Sequence, residues 1–317
     1  MKENNFFKRL RTEIRRNYRK YLLTGVAVLG LVALGGCAPY QNAESTRVPQ
    51  INTVEASGIK PELPKDCRGS AVRLSLANKS VLNNVHDVIE PSAVVVRRMQ
   101  VAGPNGAIYN KVVLLTAQHP FSALTNILAL HDSNIDSLLI ETKARPDLPE
   151  TTTFVDLVSA VQAVDDQGNL IDIAIVTVID TRNVLSTDIQ PVKNIATWTD
   201  SGSAIYLAHY PTQAGVESLM VSQLNVSNFD HKYDIPDYYG QEYMTFEIVD
   251  STSYVDGGSS GGGGCVTTVQ YPDGVLTFII TNKDGFKTNK VIVKSIPSSI
   301  NGQIEAQVNS TPYNLPP

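Results

Sequence analysis

Two side chains of this sequence stand in settings that suit the transfer of a proton. His119 ends the run Val112-Val-Leu-Leu-Thr-Ala-Gln-His119, an apolar strand pattern that breaks just before the imidazole. Asp172 interrupts the apolar run 170–178, where a buried carboxylate needs a hydrogen-bonding partner. An imidazole N–H is a natural partner, because a carboxylate orients the ring and stabilises its protonated form. Two alternatives stay open: His119 is a structural or surface residue, or Asp172 is solvated or caps a turn at the start of its strand.

A serine lies inside a glycine run further along the chain. Ser260 is part of Gly257-Gly-Ser-Ser260-Gly-Gly-Gly-Gly264. Glycines before and after a serine permit a sharp backbone conformation that aims amide N–H groups at one point, as an oxyanion site requires. The alternative is a flexible Gly/Ser linker. Because strand patterns flank the run closely on both sides, such a linker would interrupt a domain.

The order of these residues resembles a known family. His119, Asp172 and Ser260 follow one another at separations of 53 and 88 residues. Their surroundings, Leu115-Thr-Ala-Gln-His119, Asp172-Ile-Ala-Ile175 and Gly258-Ser-Ser260-Gly-Gly-Gly263, resemble the three motifs of the chymotrypsin-type, trypsin-like serine peptidases. The resemblance covers roughly residues 88–293. It implies an all-β fold of two packed antiparallel six-stranded β-barrels with short helices, and an active site in the cleft between the barrels.

The same resemblance implies a role for each matched residue. Ser260 would attack the scissile carbonyl of a protein or peptide substrate, His119 would move the proton, and Asp172 would orient His119. The backbone N–H groups of Gly258 and Ser260 would bind the oxyanion. No metal or organic cofactor is implied, and no pair of histidines or cysteines has the spacing of a zinc site.

The chain departs from the family pattern close to the nucleophile. Ser259 stands where the family usually has Asp, and Gly263 stands where it has Pro. The resemblance places the floor of the specificity pocket at Tyr254 and its walls near 280–282. Asp256 is interpreted as a turn-forming residue before two glycines. His209, which precedes Tyr-Pro, is interpreted as a turn or rim residue.

Three functions remain open on this pattern. The first is an active serine endopeptidase, since all three triad residues are present. The second is a catalytically inactive pseudopeptidase that acts as an envelope binding module, which the altered residues Ser259 and Gly263 favour. The third is a structural envelope lipoprotein whose motifs match by chance.

The N-terminus has the order of an export signal. Seven Lys or Arg residues between positions 8 and 20 precede the uncharged run Tyr21 to Gly36. The run ends in Leu34-Gly-Gly-Cys37, which resembles the bacterial lipobox and implies that Cys37 is lipidated. The alternative is an uncleaved signal anchor. Either one predicts an extracytoplasmic body that is anchored in the membrane.

The charge of the chain argues against a nucleic-acid partner. Residues 1–20 carry a surplus of six positive charges, whereas the whole chain has a net charge of −5, so the remaining residues sum to −11. An acidic body repels a phosphate backbone. With Cys37 assigned to lipid, Cys67 and Cys265 remain, either as a disulfide in an exported protein or as two buried free thiols.

The domain boundaries follow from these segments. We expect a signal peptide with lipobox over 1–36, a polar tether over 37–66, a peptidase domain over 67–300 and a tail over 301–317. The first barrel would cover about 67–185 and the second about 186–300. Residue spacing of three and four predicts short helices at Phe121–Leu130 and Phe154–Val164. Alternating or β-branched runs predict strands at Ala93–Met99, Ala107–Thr116, Leu170–Ile179, Ala204–Ala208, Ser218–Val226, Tyr243–Val249, Cys265–Val269, Leu276–Thr281 and Lys290–Val293.

Overall fold

Strands dominate the described part of this computed structural model, in which two short helices flank the sheets and residues 119–121 also have helical conformation. The helices are α1 (Lys65–Ser70) and α2 (Ile300–Asn309). The structure describes residues 64–77, 91–103, 106–121, 137–142, 150–182, 185–198, 204–211, 219–232, 243–249, 251, 253–268, 270–281 and 288–309. The predicted signal segment 1–36, Cys37, most of the tether, residues 122–130 of the first predicted helix and the end of the tail lie outside these residues. Among the described residues, no helix is long and apolar enough to cross a membrane.

Six strands form the first barrel. They are β1 (Ala71–Ala77), β2 (Ser92–Ala102), β3 (Ile108–Thr116), β4 (Ser137–Glu141), β5 (Thr152–Val164) and β6 (Leu170–Asp180). The barrel closes in the order β1-β2-β3-β6-β5-β4, and every neighbouring pair is antiparallel.

The second barrel also has six strands. They are β7 (Ile205–His209), β8 (Met220–Lys232), β9 (Tyr243–Ile248), β10 (Gly263–Val266), β11 (Val275–Ile280) and β12 (Lys290–Ser295). It closes in the order β10-β11-β12-β9-β8-β7, again with antiparallel pairs. The predicted all-β fold of two six-stranded antiparallel barrels is therefore confirmed.

Strands in the middle of the first barrel are buried on both faces. Val95 and Leu114 belong to the core inside this barrel, while Val94 and Leu115 belong to a core to which both barrels and α2 contribute. Because successive side chains of a strand point to opposite faces, both sets must be apolar. This double burial explains why the runs that lead to His119 and surround Asp172 are almost continuously hydrophobic.

The helix α2 leaves the second barrel and packs on the first. Its Ile300 and Ile304 are buried in the shared core. The Gln303 side chain bonds to both the N–H and the C=O of Val164, at 2.9 and 2.8 Å. Lys111 Nζ donates to the Val308 carbonyl at 2.7 Å, near the helix C-terminus where a positive charge is favoured. The helix therefore connects the last strand of the second barrel to the outside of the first.

The predicted helix at Phe154–Val164 is wrong, because this segment is strand β5. Its register with β6 shifts between Leu157 and Ser159 and again between Gln162 and Val164. Each bulge adds a residue and breaks the two-residue alternation of a strand. Two bulges in one strand therefore imitate the three- and four-residue spacing of a helix.

Candidate active site

His119 and Asp172 are joined directly by two hydrogen bonds. Nδ1 of His119 lies 2.8 Å from Oδ2 of Asp172, and the backbone N–H of His119 donates to Oδ1 at 2.8 Å. Asp172 is buried, with a side chain only 1% exposed, whereas the imidazole is 21% exposed. One carboxylate thus fixes both the backbone and the ring of the same residue.

The register of two strands brings this pair together. Thr116 at the end of β3 lies opposite Ala174 of β6, and the pairing is antiparallel. Asp172 comes two residues before Ala174, so it faces the chain that continues beyond Thr116 towards His119. The interpretation of Asp172 as a solvated or capping residue is wrong, because the structure buries it within β6 and pairs it with His119.

The hydrogen bonds decide which nitrogen of His119 can act as a base. An ionised carboxylate only accepts, so Nδ1 must carry the hydrogen that it shares with Asp172. In a neutral imidazole the other nitrogen, Nε2, then has the free lone pair. The pair can therefore take a proton at Nε2, and the carboxylate stabilises the imidazolium that results.

Ser260 follows a single 3-10 turn, Gly257–Ser259, in the second barrel. Oδ1 of Asp256 accepts from the backbone N–H groups of Gly258 and Ser259, at 2.9 and 3.3 Å. The backbone N–H of Asp256 donates to Ser259 Oγ at 3.0 Å. This reciprocal pair of hydrogen bonds is a capping box. The interpretation of Asp256 as a turn-forming residue is confirmed, and its carboxylate lies inside the loop.

The Ser260 loop is clamped to the first barrel by Ser92. The backbone N–H of Ser92 donates to the Ser260 carbonyl, and its Oγ donates to the Gly258 carbonyl, both at 2.8 Å. Thr116 Oγ1 donates to the Ser92 carbonyl at 2.7 Å. Ser92 is fully buried and opens β2, so sequence patterns showed only a strand start here and missed its role.

Gly261 makes the close contact between the loop and the strand that leads to His119. Its φ is +88°, a conformation that favours glycine. A Cβ there would collide with the Ser92 carbonyl oxygen and with Thr116 Oγ1, and would lie 3.0 Å from the backbone nitrogen of Ala117. The residue after Ser260 therefore lies against the segment just before His119, which places all three predicted triad residues in one region.

One of the two predicted oxyanion donors is occupied in this conformation. The Gly258 N–H is bound to Asp256 Oδ1, so it does not point at an oxyanion position shared with the Ser260 N–H. The glycine run predicts N–H groups aimed at one point, and nothing in it indicates this competing acceptor inside the loop. A role for Gly258 in binding an oxyanion requires that its N–H first leave the Asp256 carboxylate.

Two further residues near the loop bear on the sequence interpretation. His209 is fully buried at the end of β7, so its interpretation as a turn or rim residue is wrong. Its Nδ1 lies 2.9 Å from Ser259 Oγ. The signal that could have found it is the position of His209 in an apolar strand, two residues after the buried Leu207. Tyr254 is also buried, and its pKa is raised by burial and by the charge of Asp256.

Cys67 and Cys265 form a disulfide. It joins α1 to β10, two elements 198 residues apart in sequence. Cys265 lies five residues after Ser260, so the bridge ties the strand that follows the loop to the start of the described domain. Among the described residues, no group of three or more His, Cys, Asp or Glu side chains could hold a metal ion.

Comparisons with known proteins find similarity at the level of structure. No family model and no curated protein sequence matches the chain. It is similar to the thermostable serine protease AL20 from an extremophilic microorganism, with a TM-score of 0.45 and 15% identity over 77% of this chain and 100% of that one. It is also similar to the protease Anisep from Arthrobacter nicotinovorans, with a TM-score of 0.46 and 12% identity over 78% and 98%.

A third similar structure is the Rv3671c protease in an inactive form, with a TM-score of 0.41 and 14% identity over 77% of this chain and 91% of that one. These neighbours are proteases, and the identities are low throughout. They assign no role to any residue of this chain, so the roles proposed below depend on contacts within the chain itself.

Proposed function

We propose that this protein is a serine endopeptidase in which His119, Asp172 and Ser260 form the catalytic triad. The observation that carries the proposal is the doubly hydrogen-bonded pair of His119 and Asp172, next to the glycine-held loop of Ser260. Such a pair supplies a base at Nε2 whose conjugate acid is stabilised by a buried carboxylate.

The reaction would proceed in two transfers. Ser260 Oγ attacks the carbonyl carbon of a peptide bond, and its proton passes to His119 Nε2. His119 then gives that proton to the leaving amine, which breaks the C–N bond and leaves an acyl group on Ser260. Water repeats the sequence, with His119 again taking and returning a proton, and releases the acid and free Ser260.

The charge on the tetrahedral oxygen needs hydrogen-bond donors. The Ser260 N–H is one candidate, and the Gly258 N–H is the second once it has left Asp256. Loss of one such donor typically lowers the rate about 10²–10³-fold. The proposal therefore includes a local rearrangement of the turn Gly257–Ser259 when substrate binds.

A fluorophosphonate probe tests the nucleophile, because it reacts only with an activated serine. We expect the folded wild-type protein to be labelled and the Ser260→Ala variant not to be. The Ser259→Ala variant removes the neighbouring hydroxyl of the same loop and so tests that hydroxyl as the alternative nucleophile. Labelling that survives Ser260→Ala but not Ser259→Ala would assign the nucleophile to Ser259, and no labelling of a folded wild type would reject the enzyme.

A second candidate is an inactive pseudopeptidase that binds proteins at the envelope. Two observations favour it: Ser260 has no exposed surface, and Asp256 occupies the Gly258 N–H. A protein that binds a peptide tightly, leaves it uncleaved and resists the probe would support this alternative.

We also propose that the body is extracytoplasmic and anchored in the membrane through a lipid on Cys37. The support is the basic segment, the uncharged run and the lipobox-like Leu34-Gly-Gly-Cys37 in the sequence. Mass spectrometry of the mature N-terminus tests this proposal. A diacylglyceryl group on Cys37 is the expected result, and an unmodified N-terminus upstream of Cys37 would contradict it.

A further inference from the structure

A buried histidine outside the proposed triad contacts the Ser260 loop. His209 lies at the end of β7, where Nδ1 is 2.9 Å from Ser259 Oγ and Nε2 is 3.2 Å from Ser222 Oγ on β8. Burial lowers the pKa of His209 to about 3, so the ring is neutral at ordinary pH. A neutral ring has one donor and one acceptor nitrogen, which suits two hydroxyl partners.

The hydroxyl of Ser259 is the junction of this chain of contacts. It accepts from the Asp256 N–H at 3.0 Å. Its own hydrogen can go to His209 Nδ1 at 2.9 Å or to Asp256 Oδ1 at 3.4 Å. The shorter contact assigns the hydrogen to Nδ1, so Nε2 carries the ring hydrogen and donates to Ser222 Oγ.

His209 therefore contacts the loop on both sides of Ser260. Ser259, directly before the nucleophile, bonds to the ring. Gly262, two residues after it, lies so close that a Cβ would be 2.6 Å from Cβ of His209 and 2.7 Å from the Ala208 carbonyl oxygen. The end of β7 thus forms a wall against which the loop is folded.

An uncharged side chain at position 259 is compatible with the neutral ring of His209 beside it. Asp256 already places one buried carboxylate in the loop. A second carboxylate at position 259 would stand beside it, and two buried like charges are costly. A serine with a neutral histidine satisfies the same space with hydrogen bonds alone.

We propose that His209 is a positioning residue for the nucleophile: through Ser259 Oγ it holds the turn Gly257–Ser259 and thereby fixes the direction of Ser260. This inference rests on the proposed function, since it assumes that Ser260 is the attacking residue. His209 itself does not touch the reacting atoms.

The two nitrogens of His209 can be separated by substitution. His209→Asn keeps a polar atom near Nδ1 and retains the contact with Ser259, whereas His209→Gln keeps one near Nε2 and retains the contact with Ser222. Ser222→Ala removes only the far contact and serves as the control. We expect the rate of fluorophosphonate labelling to stay within about twofold in His209→Asn and Ser222→Ala, and to fall at least about fivefold in His209→Gln.

A merely structural role predicts another pattern. If His209 only supported the fold, the labelling rate of the Asn and Gln variants would fall in proportion to the decrease in their thermal unfolding midpoints. The proposal predicts a difference in labelling rate between these two variants at matched midpoints. Equal rates in the two variants, or full activity of His209→Gln, would overturn it.

Hydrogen exchange of the amides of residues 257–262 provides a readout that does not need activity. Faster exchange in His209→Gln than in His209→Asn is expected, and equal exchange would reject the positioning role whatever the labelling shows. If the wild type resists the probe but the two variants still differ in exchange, the peptidase proposal is rejected and the contact between His209 and the loop is supported. Should both His209 variants fail to fold, Ser259→Ala must speed exchange of the same amides, and unchanged exchange there would overturn the proposal.

Discussion

Asp172 accepts two hydrogen bonds from one residue, the backbone N–H and the imidazole N–H of His119. Both partners are donors, so the site needs a side chain with two acceptor oxygens. A buried carboxylate fits, and its charge also stabilises the imidazolium. The role of Asp172 therefore depends on charge and on acceptor number together.

Asp172→Asn tests this requirement. The amide presents one N–H₂ group to a site that holds two donors, so His119 must turn or adopt the other tautomer. We expect fluorophosphonate labelling to slow by about 10³–10⁴-fold while the protein stays folded. Asp188→Asn, on the exposed loop where Asp188 contacts Ser186, is the matched control and should leave the rate unchanged. A loss below tenfold in Asp172→Asn would contradict the triad.

His209 should make the folded protein sensitive to acid. Burial lowers the pKa of His209 to about 3 in the folded state. Between about pH 3 and the ordinary pKa of 6.5, the side chain is therefore protonated in the unfolded chain and neutral in the folded protein. The free energy of unfolding should then decrease as pH falls from about 6.5 towards 3, by about 1.4 kcal/mol per pH unit from this group.

Urea unfolding between about pH 4 and pH 7 measures this dependence. The His209→Asn variant has no titrating group at the position, so its slope should be smaller by the contribution of one proton. Parallel slopes for wild type and variant would show that His209 does not enter the folded state neutral.

At the scale of elements, the Ser260 loop depends above all on glycine at position 261. Gly261→Ala would meet both the unfavourable φ of +88° and the collision with Ser92 and Thr116. Gly168→Ala is the matched control, because Gly168 has a φ of +85° and nothing within 4 Å of an added Cβ. We expect Gly168→Ala to lower the free energy of unfolding by about 1–2 kcal/mol, from the unfavourable backbone conformation alone.

We expect Gly261→Ala to lower the free energy of unfolding by about 1–3 kcal/mol more, because the added methyl group overpacks the contact. Labelling should also be lost. Chemical unfolding and the probe measure the two effects separately. A Gly261→Ala protein as stable and as reactive as Gly168→Ala would show that the loop does not lie against the first barrel as described.

Most of the strands could be predicted from the sequence, because apolar alternation and turn residues are local signals. All nine predicted runs correspond to strands of the structure, including the one that leads to His119 and the one that carries Asp172. Strand β5 could not be predicted, since its two bulges disguise the alternation. Strands β1 and β4 were missed as well; their pairing to each other closes the barrel over long sequence distances.

The site was predictable only in part, for a related reason. His119, Asp172 and Ser260 are marked by motifs, whereas Ser92, His209 and the Asp256 cap act through contacts between distant segments. Ser92, for example, bonds to Gly258, which is 166 residues away. Nothing in the sequence at the start of β2 or in the glycine run indicates that these two segments lie side by side. Only the folded structure shows their contact.

At the scale of the whole molecule, the two barrels share one hydrophobic core. Residues of both barrels and of α2 contribute to it, with Val94 and Ile173 from the first, Leu276 and Ile279 from the second. Because the residues of the proposed triad come from both barrels, this shared core fixes the distance between them. The helix α2 closes the core on the outside and is the last described element of the chain.

Two neighbouring residues of α2 test how much the helix contributes. Ile304 is fully buried in the shared core, whereas Glu305 forms an ion pair with Arg97 whose side chains are 51% and 34% exposed. Ile304→Ala should lower the free energy of unfolding by about 2–5 kcal/mol, and Glu305→Ala by at most about 1 kcal/mol. Similar values for the two variants in chemical unfolding would show that α2 is not packed on the barrels.

The central claim is that Ser260 is a nucleophile activated by His119, and identification of the modified residue tests it most directly. The folded protein is treated with a fluorophosphonate and digested, and the phosphonylated residue is located by tandem mass spectrometry. The account predicts one adduct, on Ser260, that disappears in His119→Ala. An adduct on Ser259, an adduct on Ser260 that forms equally fast without His119, or no adduct on the folded protein would contradict it.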